Sequence, residues 1–291
     1  MINTSDLQLE YKSKENLREL QQVQAKMLED IVDICEKESI TYFLMYGTLL
    51  GAVRHQGFIP WDDDVDITMP IEDYRRFLRL GQEKLGDEYF LQTSMTDPNF
   101  NFGFTRIRKN NTTFLRTEDR SYHIHHGIWV DVFPLVPVQP GWSLNIKKKV
   151  LSFSNFVQIK DKMETDVAEF RELLGPIGLR AVQVFSLLPM RWRQAVHNVM
   201  LNYCFNGRID KCDYVAGVWG NITFYYPKES FFGEKAEVLF EGRMYNAPSD
   251  YKQFLEIVYG DYMSPPPEDK RYGHGNDIII DFHNSYEKYM I

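Results

Sequence analysis

Between Tyr42 and Asp66 the chain reads Y-F-L-M-Y-G-T-L-L-G-A-V-R-H-Q-G-F-I-P-W-D-D-D-V-D, an order that few folds accommodate. An apolar run of strand length, Tyr42 to Tyr46, stops at Gly47. Gly47 and Thr48 then form a small-residue turn into a second apolar stretch, Leu49, Leu50, Ala52 and Val53. Glycine at such a turn admits a close backbone approach to a ligand, and a helix starting there presents N–H groups to phosphate. Past Gly57 and Pro60 come four aspartates within five positions: Asp62, Asp63, Asp64 and Asp66.

Read as a strand, this last segment alternates faces, so Asp62, Asp64 and Asp66 share one face while Val65 and Ile67 turn toward the core. Three carboxylates on one face raise each other's pKa unless a cation joins them. Short, hard oxygen ligands suit Mg²⁺ or Mn²⁺ holding a phosphate. An acidic surface loop is the competing reading, and the β-branched residues between the aspartates speak for the strand. An EF-hand loop from Asp62 would need glycine at its sixth place and glutamate at its twelfth, where this chain has Ile67 and Asp73. The D-D-x-x-D pattern of prenyl-chain enzymes, formally met by Asp62, Asp63 and Asp66, belongs on a helix. The Asp-x-Asp of sugar-nucleotide glycosyltransferases stays open on spacing alone.

A second acidic position stands out. In Gly127-Ile-Trp-Val-Asp-Val-Phe-Pro134 a single carboxylate, Asp131, interrupts an apolar strand. Buried without a partner it would cost several kcal/mol, so the sequence demands either a metal or a nearby arginine. The strands expected before it are Y-F-L-Q-T-S from Tyr89, F-T-R-I-R from Phe104 and T-T-F-L-R from Thr112, with Lys109-Asn110-Asn111 as a hairpin turn. Alternation places Arg106 and Arg108 together, opposite Ile107, as diphosphate ligands or as solvated arginines.

Y-G-T-L-L-G-A-V-R-H followed by F-I-P-W-D-D-D-V-D-I resembles the signature of the LicD/fukutin family. A second block, Tyr259-Gly-Asp-Tyr-Met-Ser-Pro-Pro-Pro267, is similar to that family's Y-G-x-D-Y-x-x-P-P-P segment. Arg271 and His274 fall on its following basic and histidine positions, with Gly275 where the family often has a second histidine. The resemblance implies an α+β fold with a polymerase-β-like nucleotidyltransferase core, a mixed sheet flanked by helices, in which the Gly-Thr turn and Asp-x-Asp strand build a two-metal site. It implies Asp131 as the third carboxylate, whose strand must then lie beside the aspartate strand. Bacterial members are taken to move phosphocholine from CDP-choline to cell-surface glycans, and eukaryotic relatives ribitol phosphate.

On that reading Asp62, Asp64, Asp66 and Asp131 hold one or two Mg²⁺ (or Mn²⁺) ions and are the catalytic set. Gly47 and Thr48 bind phosphate, and Arg54, Arg108 and Arg271, with His274, face the substrate. Trp61 and Trp129 flank the acidic positions, either as candidates to enclose a trimethylammonium group or as core residues. The donor is a CDP-linked alcohol, and the acceptor a glycan, lipid-linked glycan or teichoic acid precursor. The rivals are an Asp-x-Asp glycosyltransferase, a metal phosphodiesterase with added histidine ligands, and a non-catalytic binding protein on the same fold.

Composition narrows the partners. A formal charge of −8 over 291 residues argues against nucleic acid, which calls for a basic surface. Cys35, Cys204 and Cys212 show neither metal spacing nor a disulfide framework. Met1 to Glu10 lacks the apolar core of a signal peptide, and no run of about 20 apolar residues is present, so the expected location is cytoplasmic.

The chain divides into a catalytic core (1–141), a helical basic amphipathic insertion (142–203) and a C-terminal α+β part completing the site (204–291). In the core, residues 14 to 39 read as a helix with Leu17, Leu20, Met27, Leu28, Ile31, Ile34 and Cys35 on one stripe. A second helix is expected after Thr68 and Pro70, ending at Gly81. His123, His125 and His126 read as a solvated loop. The insertion carries nine Lys or Arg against five Asp or Glu, a net of +4, and is broken at Gly175-Pro176. It is either a packed subdomain or a surface lying peripherally on anionic membrane. In the C-terminal part, Phe240 to Tyr245 reads as a strand and Tyr251 to Val258 as a helix capped by Ser249 and closed by Gly260.

Overall fold

The computed structural model describes residues 14–100, 102–158, 167–219, 221–271, 273 and 277–291. Helix α1 (Lys14–Lys37) buries Leu20, Met27, Leu28, Ile31 and Cys35 along one stripe. After it come β1 (Phe43–Leu44), α2 (Tyr46–His55), β2 (Asp66–Pro70) and α3 (Ile71–Leu85). β3 (Tyr89–Gln92), β4 (Thr105–Lys109), β5 (Thr113–Arg116) and β6 (Trp129–Val138) follow. Three helices come next: α4 (Trp142–Gln158), α5 (Val167–Ser186), kinked at Gly175, and α6 (Met190–Cys204). The remainder is β7 (Tyr214–Gly217), β8 (Tyr226–Pro227), α7 (Glu229–Phe232), β9 (Ala236–Phe240), β10 (Arg243–Ala247), α8 (Tyr251–Tyr259) and β11 (Ile278–Asp281).

Strand β6 is the axis of the molecule. Its ten residues are all buried, which explains the nearly continuous apolar run, since a strand covered on both faces does not alternate. β6 pairs in parallel with β2 and antiparallel with β4 over its first half, then antiparallel with β7 over its second. The resulting mixed sheet runs β1-β2-β6-β4-β3, extended from β6 through β7 to β8.

Several local expectations change. Only Phe43 and Leu44 form the strand before Gly47, because Tyr46 already opens α2. Thr68 lies inside β2, its hydroxyl donating to the Phe133 carbonyl (3.0 Å), and caps nothing. Gly81 sits within α3, where an added Cβ would meet the Leu91 side chain at 3.4 Å. The chain turns at Asn111 (φ 58°), yet β4 and β5 are not a hairpin: β4 joins the main sheet and β5 pairs with β11. Phe240 to Tyr245 is a hairpin tip, not a strand. Glu241 and Gly242 both take positive φ (48° and 87°), as a two-residue turn matching strand twist requires. From that tip the Glu241 carboxylate grips Arg18 (2.6 Å) and the Phe58 amide (3.2 Å), which anchors the loop leading to the aspartates. The cap of α8 is Asp250, which accepts from the Gln253 amide at 3.0 Å.

The histidines before β6 are not a solvated group. His123 is exposed, but His125 stacks on Phe90 and lies within hydrogen-bonding distance of Asn110 Oδ1 (2.9 Å). His126 is buried with Nε2 at 2.7 Å from the Tyr122 carbonyl. His197 on α6 is buried against the Ser154 hydroxyl. Burial pushes His125 down to about 3 and His126 and His197 down to about 4, Arg108 adding to the first two. The unfolded chain therefore binds protons that the native protein refuses. This stability is complete above the ordinary histidine value of about 6.5 and is lost as pH falls toward 4, by up to ~1.4 kcal/mol per pH unit for each group. The melting temperature should hold steady above neutrality and fall steeply between those limits. A level profile down to pH 5 would mean that the histidines are charged in place.

Candidate metal and substrate site

The register of the β2–β6 pair sets Asp66 directly beside Asp131, and the Asp131 amide donates to the Val65 carbonyl at 2.8 Å. Asp64 turns in from the segment preceding β2. One ligand oxygen from each of Asp64, Asp66 and Asp131 lies within 4.8 Å of the others. A second group, Asp62, Asp63 and Asp64, meets the same limit and shares Asp64 with the first. Alternation put Asp62, Asp64 and Asp66 on one face; Asp64 and Asp66 do come together, while Asp62 groups with Asp63 and Asp64. The strand starts only at Asp66, after a turn closed by the Asp62 amide on the Ile59 carbonyl (2.9 Å).

Crowding has the expected electrostatic result. The Asp66 carboxyl is held well above the usual carboxylate range, first by burial and then by Asp64, Asp131 and Asp62, with Arg106 opposing. Asp131 is 2% exposed and its carboxylate is gripped from one side. Arg106 donates from Nε to Oδ1 (2.7 Å), and the Trp129 indole N–H donates to Oδ2 (3.2 Å). The arginine that a buried Asp131 demands and the carboxylates that would share a metal with it are thus both present. The Arg106 guanidinium is ringed by Phe100, Phe102, Phe104 and Trp129 at 4.6–5.9 Å. That environment costs a delocalised cation less than it would an ammonium.

Gly47 and Thr48 occupy the first turn of α2. A Cβ on Gly47 would stand 2.7 Å from Asp62 Oδ2, so the glycine makes room for a carboxylate of the site. The Thr48 hydroxyl is buried and accepts from the Asp66 amide at 2.8 Å, tying the helix start to the strand start.

Arg54, Trp61 and Arg271 come together beside these carboxylates. Arg54 is fixed through Nη1 to the Tyr262 carbonyl (2.8 Å), and Arg271 through Nε to the Pro266 carbonyl (2.9 Å). The Arg271 guanidinium lies over the Trp61 ring at 5.1 Å. Burial pulls the Arg54 pKa down, Tyr259 raises it, and the nearby Arg271 charge lowers it further. Gly273, just after Arg271, packs so closely on Asp63 that a Cβ would lie 2.5 Å from its Oδ2. The second signature thereby closes over the first.

Two expected substrate contacts are placed otherwise. Arg108 is 2% exposed and donates inward, to Gln92 Oε1 and the Gly127 carbonyl at 2.7 Å each, so it braces the sheet instead of facing a diphosphate. Trp129 is buried with the Arg106 and Arg108 guanidinium groups over its ring at 4.6 and 4.9 Å. It is therefore no cage for a trimethylammonium group. His274 lies outside the described residues.

Sequence reasoning left out Tyr46 and Tyr259. Burial raises both hydroxyls, and Asp66 raises them further, with Asp62 and Asp64 adding to Tyr259. Their positions flank the two signatures, Tyr46 before Gly47 and Tyr259 at the head of Y-G-x-D-Y, which was the available signal.

The donor set is all carboxylate oxygen, with no thiolate or imidazole in either group, and so fits a hard divalent ion. Fold and site define a mixed α+β protein built around a carboxylate centre at the start of two parallel strands. Residues 39–166 match the LicD/FKTN/FKRP nucleotidyltransferase domain. The chain is 27% identical over 266 residues to the lipopolysaccharide cholinephosphotransferase LicD of Haemophilus influenzae, covering 90% of this chain and 96% of that protein. It is also 32% identical over 108 residues to the human ribitol 5-phosphate transferase FKRP, covering 37% of this chain and 19% of that one.

Proposed function

We propose that this chain is a transferase carrying a phospho-alcohol group, phosphocholine in the first instance, from a CDP-linked donor to a glycan hydroxyl. The observation that carries the reading is the Asp64–Asp66–Asp131 cluster, assembled from two segments within the match to the LicD/FKTN/FKRP domain. The strand–helix–strand order of β1, α2 and β2 is read as the nucleotidyltransferase core. The relative's name as a cholinephosphotransferase supports phosphocholine as the group carried, and the CDP-linked donor is the reading taken from the sequence resemblance.

Asp64, Asp66 and Asp131 would hold the divalent ion, Mg²⁺ or Mn²⁺, with Asp62 and the buried Asp63 forming an adjoining acidic group through Asp64. When bound, such an ion neutralises charge on the reacting phosphate and its leaving oxygen. Arg54 and Arg271 stand as a cationic pair whose mutual repulsion a diphosphate relieves, and each guanidinium keeps N–H groups beyond those spent on the backbone. Thr48 fixes the Asp66 backbone, and Arg106 with Trp129 fixes the Asp131 carboxylate. In the transfer, the acceptor oxygen forms a bond to the phosphorus bearing the alcohol, and the bond from that phosphorus to the CMP oxygen breaks. CMP departs with the electron pair, and the hydroxyl proton passes to a carboxylate of the aspartate set.

The test supplies the purified chain with Mg²⁺, a glycan acceptor and, in turn, CDP-choline, CDP-ribitol and UDP-glucose. CMP should appear from a CDP-alcohol, more with acceptor than without, and stop on adding EDTA. UDP release from UDP-glucose with no CMP from either CDP-alcohol would replace this reading with a glycosyltransferase.

A further inference from the structure

Helices α5 and α6 present apolar side chains to solvent. On α5, Ile177 (85% exposed) and Val184 are two turns apart and share a face. On α6, Trp192 (56% exposed), Val199 and Tyr203 follow at intervals of seven and four, one stripe along the helix. Leu187 (75% exposed) stands in the turn that joins the two helices. The opposite side of α6 is the packed one, burying His197, Leu201 and Cys204. A helix that hides a histidine and displays tryptophan, valine and tyrosine is patterned for a medium other than water on its outer face.

Charge identifies that medium. From 142 to 155 and from 174 to 203 the sequence contains Lys147, Lys148, Lys149, Arg180, Arg191 and Arg193, and no aspartate or glutamate, within a chain of net charge −8. Arg180 and Arg191 are exposed alongside the apolar stripe, and the Arg191 guanidinium lies 5.8 Å from the Trp192 ring centre. A second copy of this chain would bring the same cations against each other across a two-fold axis. An anionic bilayer offers apolar depth for Trp192, Leu187 and Val184, and phosphate for the arginines. Among the described residues no helix is long and apolar enough to cross a membrane, so the contact is with a surface.

We infer that the outer face of α5 and α6 docks on an anionic lipid bilayer. This goes beyond the proposed chemistry and does not depend on it.

The experiment is co-sedimentation of the full chain with vesicles of phosphatidylcholine alone and of phosphatidylcholine mixed with phosphatidylglycerol, at low and high salt. Binding should be at least about tenfold stronger on the anionic vesicles and fall with salt. The pair Leu187→Glu with Trp192→Glu, and separately Arg180→Glu with Arg191→Glu, should each lower it by about tenfold or more while circular dichroism stays unchanged. CMP release from CDP-choline with a soluble acceptor should be unaltered in both variants, so a failed docking model and a failed transferase assignment give different results. Equal, negligible binding to both vesicle types would overturn the inference. So would variants that bind like the parent, or a wild-type dimer in light scattering that either variant renders monomeric.

Discussion

Asp66→Asn should abolish CMP release, by on the order of a hundredfold or more, in a protein that melts at a higher temperature than the parent when both are free of metal. The two effects share a cause. Asp66 is buried among Asp64, Asp131 and Asp62, and its carboxyl is held well above the usual range. A folded-state pKa raised in this way leaves stability intact below the unfolded value and erodes it as pH climbs through the folded one. Asparagine removes that penalty, so the stability gain should be clear at pH 8 and vanish near pH 4. Adding Mg²⁺ should raise the melting temperature of the parent and leave the variant unmoved, since binding to the native state alone stabilises by mass action. Scanning calorimetry at pH 4 and pH 8, with EDTA and with Mg²⁺, reads the stability gain, its pH dependence and the Mg²⁺ shift, and a CMP-release assay reads turnover. Parent-like turnover in the variant would remove Asp66 from the chemistry.

Asp131 should behave in the opposite way. Asp131→Asn leaves the Arg106 guanidinium without its counter-ion, and Arg106→Gln leaves a carboxylate stranded beside two others. Breaking a buried pair from one side costs ~3–5 kcal/mol. The Arg106 side chain keeps 17% of its surface exposed and is lined by four aromatic rings, which places Asp131→Asn near the lower end, at about 3 kcal/mol. Arg106→Gln should cost more, because it also raises the charge density around Asp66. Urea unfolding without metal measures both. Equal stability for Asp131→Asn and parent would mean that the ion pair between Arg106 and Asp131 contributes nothing to the fold.

Much of the fold was legible because it rests on periodicity. The α1 stripe from Leu20 to Cys35 and the apolar run of β6, broken only by Asp131, each follow from burial, and burial is written in residue type. The adjacency of Asp131 to Asp66 was not readable from spacing. It came from the resemblance, and it exists because β2 and β6 pair in parallel after a separation no local rule spans. Where expectations failed, a long-range partner had overruled a local signal. β5 left its apparent hairpin for β11, and Arg108 took up Gln92 and the Gly127 carbonyl inside the sheet. Asp62 to Asp64 curl before the strand begins, which regroups the carboxylates that alternation had sorted. The histidines near 125 went unread because polarity in sequence says nothing of the rings, Phe90 and Tyr286, that cover them.

Asp64, Asp66 and Asp131 together should bind one hard divalent ion, which Mn²⁺ titration followed by electron paramagnetic resonance measures directly. Free Mn²⁺ should be depleted by the parent chain, restored by excess Mg²⁺, and left in solution by Asp64→Asn and Asp66→Asn, both still folded. Depletion as strong in those variants as in the parent, or none in the parent, would contradict it.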